Sequence, residues 1–180
     1  MNEKGYSRAA VFLHGLIAVA IFFLFVSSWW MLGLPLASTE FTFREFPFQL
    51  HKNIGITLVF MLGLLLYLRL KYRPSKLRPD MMKPWMQKVS YINHVMIYIL
   101  IMSVCTSGYL SSASTPWDTT LWWLVDVPRI FQPDEELNEL FSGIHIWTAW
   151  ALLAVITIHL SGALYHAFRN DGIIRRMLRW

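Results

Sequence analysis

The chain has 180 residues, 56% of them hydrophobic and 16% aromatic, and a formal net charge of +5, with a mean hydropathy of +0.43. That length suits one domain, and the composition is too apolar for a soluble one, which needs far more polar surface. The single cysteine, Cys105, lies in an apolar stretch; a disulfide framework and any cysteine-based metal or iron–sulfur centre are excluded, and the thiol reads as buried and inert.

Four apolar stretches are long enough to cross a bilayer, which takes about 20 residues. The first covers residues 9–32 and is too long for the core of a signal peptide, so it reads as a retained span. The second covers 48–70, with Pro47 suited to the first helical position just ahead of it. The third covers 85–110, again with a proline, Pro84, at its start. The fourth covers 137–168. Pro133, Asp134, Glu135 and Glu136 read as its first turn, where negative charge suits the helix dipole. The predicted fold is an all-α, integral-membrane four-helix bundle forming one domain, 1–180.

Basic residues orient it. With four spans, both termini and the 71–84 loop share one side. That side holds Lys4, Arg8, Arg69, Lys71, Arg73, Lys76, Arg78, Lys83, Lys88, Arg169, Arg175, Arg176 and Arg179. The other side holds Arg44, Lys52 and Arg129. This asymmetry predicts cytoplasmic termini. The positive charge is therefore an orientation signal, and nucleic-acid binding is dismissed.

All six histidines lie in or at the end of a span. Ionisable groups inside membranes are costly, so each is a functional candidate; a hydrogen bond to a neighbouring helix is the plain alternative for any one of them. His145 and His159 stand 14 residues apart on the fourth span, which returns to nearly the same face about 21 Å further along. His51 lies at the depth of His145, and His14 near the depth of His159. Two pairs result, His51 with His145 and His14 with His159. Each can offer imidazole nitrogens to both faces of a haem iron, and helical bundles build cofactor sites in this way. Zinc needs three or four ligands on one ion, which two separated pairs do not supply. Gly55, Ala18, Ala149, Gly162 and Ala163 flank the four histidines; they leave room for a flat macrocycle or simply let helices pack closely. His94 and His166 remain. Each either serves a quinone headgroup or proton path, or is an interfacial histidine bonded to backbone or water.

Taken together, these residues resemble the prokaryotic cytochrome b561 family over nearly the whole chain. The likeness rests on Tyr6-Ser7-Arg8 followed by His14, on His51 with Gly55, on His94-Val95-Met96-Ile97-Tyr98, on His145, His159 and His166, and on Asp171 with Arg176-Met177. The resemblance implies a multi-pass bacterial inner-membrane cytochrome with two haem b groups, bis-histidine ligated. By position His14, His51, His145 and His159 match the ligands, and His94 and His166 match histidines that are not axial ligands. It further implies either an oxidoreductase that oxidises superoxide and reduces ubiquinone, or a cytochrome subunit serving a partner dehydrogenase or a periplasmic redox protein. Gly15 departs from the pattern, since the family often has Trp after the first ligand.

On that reading an anionic donor approaches the outer side. Lys52, next to His51, either steers it or pairs with a haem propionate or a lipid phosphate; Arg44 and Arg129 are the other outer cations. Trp117, Trp122 and Trp123 of the 111–132 loop form either a lid or, more plainly, an interfacial aromatic belt. The tail 172–180 reads as a basic helix lying on the membrane surface.

Overall fold

The computed structural model describes residues 7–33, 42–72, 82–169 and 171–173, and no side-chain detail for Leu32, Thr42, Phe43 and Arg44. Its elements are α1 (Arg8–Leu32), α2 (Thr42–Lys71), α3 (Pro84–Ala113), β1 (Thr120–Leu121), β2 (Val125–Asp126) and α4 (Glu135–Arg169). Among the described residues four helices are long and apolar enough to cross a membrane, so the predicted all-α membrane bundle stands. The two short strands pair antiparallel as a hairpin between α3 and α4, an element that periodicity did not predict.

Helix ends follow local chemistry. Ser7 caps α1, its hydroxyl accepting the Ala10 N–H at 3.2 Å. Pro84 occupies the first turn of α3 as predicted. Asp134 caps α4 by accepting the Leu137 N–H at 3.0 Å. Pro133 and Asp134 thus precede the first turn, and Glu135 and Glu136 form it. Pro47 departs from expectation: α2 already begins at Thr42 and Pro47 lies inside it. Its missing N–H costs one hydrogen bond near a helix end, less damage than in mid-helix.

Packing is sequential, with α1 on α2, α2 on α3 and, most extensively, α3 on α4; among the described residues α4 has no comparable packing against α1 or α2. Ala10, Leu13, Ile17 and Ile21 form one stripe of α1 and join Leu58, Leu62 and Leu65 of α2, Ile97 and Ile101 of α3, and Leu152 and Val155 of α4. Phe12, Phe22, Phe60, Trp147 and Phe168 point outward and are largely exposed. Helices apolar on every side need lipid around them. One end of the bundle carries the β1–β2 hairpin. The opposite, basic end carries Lys71, Lys83, Lys88 and Arg169.

Candidate functional site

Because α4 stands off from α1 and α2, its histidines reach theirs across a slot. The His51 and His145 rings are 6.2 Å apart, centre to centre, at 71°. Toward the basic end His14 and His159 are also 6.2 Å apart, at 59°. Metal–imidazole bonds of about 2 Å, with ring centres about 1 Å behind the nitrogens given C–N bonds of about 1.3 Å, put two rings on one ion roughly 6 Å apart. Both pairs therefore have the spacing of two imidazoles on opposite faces of an iron.

The pair at the hairpin end is held from behind. His145 Nδ1–H donates to the Val104 carbonyl of α3 at 2.8 Å, which leaves Nε2 as the nitrogen with a lone pair. Beneath the ring lies Gly108, where an added Cβ would fall 2.9 Å from two His145 ring atoms. On α1, Ser28 donates its hydroxyl to the Leu24 carbonyl at 2.6 Å. Its oxygen is then an acceptor for His51 Nδ1, 3.4 Å away. Val104, Gly108 and Ser28 escaped the sequence reading. Only Gly108 left a signal there, as a glycine inside an apolar helical run.

The other pair is crowded. His94 of α3 stands edge-on to His159 with ring centres 4.8 Å apart, and its Nδ1–H donates to the Ser90 carbonyl at 2.6 Å. Tyr98 follows at 6.4 Å from His94. The Arg69 guanidinium donates to the Tyr98 hydroxyl and lies 5.8 Å from that ring's centre. A chain of side-chain contacts thus runs from Arg69 through Tyr98 and His94 to the pair. His166 has a different setting. Its Nδ1–H donates to Asp171 at 2.6 Å, and its ring contacts Tyr165. Burial alone would raise the Asp171 carboxyl, but hydrogen bonds from His166 and the Ile173 N–H outweigh it and hold the group below its ordinary value.

Lys52 donates to Thr119 at 3.2 Å. Arg129 is paired with Asp118 at 2.5 Å. Arg44 stands in the first turn of α2, its side chain outside the described residues, as are residues 174–180 of the expected surface helix. A side chain at Gly15, Gly55 or Gly162 would meet no atom within 4 Å, so the space beside three of the four histidines is open. Trp122 is bound to Asn53 and Thr57 of α2. Asn53 lies two residues from His51, on a face turned about 160° from it, so the hairpin docks behind α2 rather than over the histidine pair. Among the described residues no three His, Cys, Asp or Glu side chains gather to hold a metal ion.

Comparison with known proteins covers nearly the whole chain. The family model described as prokaryotic cytochrome b561 matches residues 5–180. The chain is 26% identical over 178 residues to cytochrome b561 homolog 2 of Escherichia coli (strain K12), covering 98% of this chain and 93% of that relative. No solved structure matches it.

Proposed function

Since this chain belongs to the prokaryotic cytochrome b561 family, haem-binding electron-transfer proteins of the bacterial membrane, we propose that it carries two haem b groups. His51 and His145 hold one, and His14 and His159 the other. In this reading it lies in the inner membrane with both termini cytoplasmic and the hairpin end periplasmic, oxidising superoxide or another small donor there and reducing ubiquinone.

The observation that carries the assignment is the shared 6.2 Å ring separation. The 4.8 Å between His94 and His159 is too short to admit an iron between them, which leaves His94 for another task. When bound, the two haems supply reversible one-electron carriage at two depths of the membrane. The protein's part is to fix ligands and manage charge. Val104 and Ser28 hold the His145 and His51 protons at Nδ1, directing each Nε2 into the slot. Each pair would give its haem two imidazole ligands, and a donor would then pass on its electron without binding iron. Lys52 is the described cation beside His51 and draws anions toward this end or meets a propionate; Arg129 has its charge matched by Asp118. At the basic end His94, Tyr98 and Arg69 provide polar partners for a quinone headgroup and a route for its protons.

Purified protein should show low-spin b-type spectra with two haems per chain, and superoxide should drive quinone reduction. Haem-free protein from haem-replete cells would overturn the ligand assignment. Haem without superoxide-driven turnover would favour a second reading, an electron-relay subunit. Exposed Asp134, Glu135, Glu136 and Glu139 near the start of α4 support that reading, since they suit a basic redox partner.

A further inference from the structure

The proposed function gives the hairpin's unusual turn no role of its own. Thr120 pairs with Asp126 and Leu121 with Val125, and the Leu124 N–H closes the turn on the Leu121 carbonyl at 3.0 Å. Trp122 and Trp123 at its centre have φ of 49° and 58°. Asn-Gly is the sequence such a turn favours; a bulky L-residue there costs about 1–2 kcal/mol. Specific contacts offset that cost. The Trp122 N–H donates at 2.8 Å to Oδ1 of Asn53, which is fully buried. The Trp122 indole N–H donates to Thr57 at 3.1 Å, and the Thr57 hydroxyl donates to the Asn53 carbonyl at 2.8 Å. Trp123 stacks on Phe46 at 5.4 Å.

This rigid turn presents apolar groups outward. Leu124 is 86% exposed and Val125 62%, with Trp122 and Trp123 more than 40% exposed. The depth of the turn identifies what meets them. From Lys71 to His51 along α2, and from Lys88 to Gly108 along α3, are twenty residues each, about 30 Å, the thickness of the hydrocarbon layer. Gly108 touches His145, so the boundary lies at the level of the His51–His145 pair. Asn53 and Thr57 are about 3 and 9 Å beyond it, inside the layer. The Trp122 indole therefore reaches past the boundary, and its N–H groups are bonded within the protein, as hydrocarbon requires. One turn below Thr57, exposed Phe60 and then Leu64 continue the same apolar strip along α2.

We propose that the Thr120–Asp126 hairpin is a lipid-binding wedge. It lies at the headgroup–acyl boundary of its leaflet, with Leu124, Val125 and the Trp122 ring against lipid chains. Its placement also fixes Thr119, which holds Lys52. The proposal is independent of haem ligation.

The test uses the full chain carrying Leu124→Cys on a Cys105→Ser background, labelled with an environment-sensitive fluorophore. The protein is reconstituted in phosphatidylcholine–phosphatidylglycerol vesicles. Nitroxides near the lipid headgroup should quench several-fold more than nitroxides at the chain end. Aqueous iodide should quench several-fold less than at a Gln132→Cys reference. Adding Asn53→Ala, which releases the turn, should restore iodide access. Iodide quenching at Leu124→Cys equal to the reference would mean a water-facing surface, such as one for a protein partner, and would overturn the proposal. Strongest quenching by the deep nitroxide would overturn it as well.

Discussion

The two histidine pairs share one separation and differ in what surrounds them. At the hairpin end each ring has a hydrogen-bonding partner behind it, Val104 for His145 and Ser28 for His51, and Gly108 forms a floor under His145. At the basic end a third imidazole, His94, presses on His159, and the polar chain through Tyr98 to Arg69 leads away from it. The first arrangement fixes two nitrogens and offers little scope for proton exchange. The second surrounds its pair with groups that exchange protons. The difference suits a donor that gives up only an electron at one end and an acceptor that takes protons with electrons at the other.

The largest expected effects come from the ligands themselves. His51→Ala and His14→Ala should each halve the haem-to-protein ratio, and the low-spin signals they remove, read by electron paramagnetic resonance, should differ. Identical residual spectra would mean that the two pairs are not separate sites. Next comes Gly108→Ala. Its Cβ must displace the His145 ring or the α3 backbone, so most of the hairpin-end haem should be lost while the other is retained. Gly55→Ala sharpens this. Its new methyl meets no protein atom, and a helical Gly→Ala change adds about 1 kcal/mol of stability. Apoprotein stability should therefore rise. Lower haem occupancy in the same variant would mark the open space as part of the macrocycle's bed.

His94→Phe should keep both haems and slow quinone reduction about a hundredfold, the low end of what a general acid–base group contributes. Loss of a haem instead would make His94 a ligand and reverse the distance argument.

Much of this was legible in the sequence, for identifiable reasons. Span lengths follow from bilayer thickness, so the helix ends agree to within three residues except at the start of α2, which begins at Thr42 and not at 48. Depth along a helix is a count of residues, so His51 could be set level with His145 and His14 with His159, as the structure has them. Lateral contacts were not countable. Nothing in the spacing of His94 reveals that it lies 4.8 Å from His159, because that depends on how α3 packs on α4. Val104 acts through its carbonyl, which every residue has. Two tryptophans at positive φ are the reverse of a turn signal, so the sequence of the hairpin reads as plain loop. Pro47 reads as a helix start when its cost is weighed locally, whereas α2 tolerates it close to an end.

The smallest effects concern hydrogen bonds behind and below the pairs. Ser28→Ala removes a long contact to His51, 3.4 Å. A net bond of about 1 kcal/mol sets the ceiling, so the hairpin-end haem should stay bound and its midpoint potential should move by at most some tens of millivolts. Asp171 offers the matching test at the basic end. Its folded-state pKa is depressed, so its bond to His166 contributes stability above the ordinary carboxylate range and loses it as pH falls through the lower folded value. Asp171→Asn should therefore reduce thermal stability at neutral pH and narrow the gap from the parent in acid, with both haem spectra unchanged. A change in the His14–His159 haem spectrum would instead tie His166 to that pair, and the basic end would then be braced from behind as the hairpin end is.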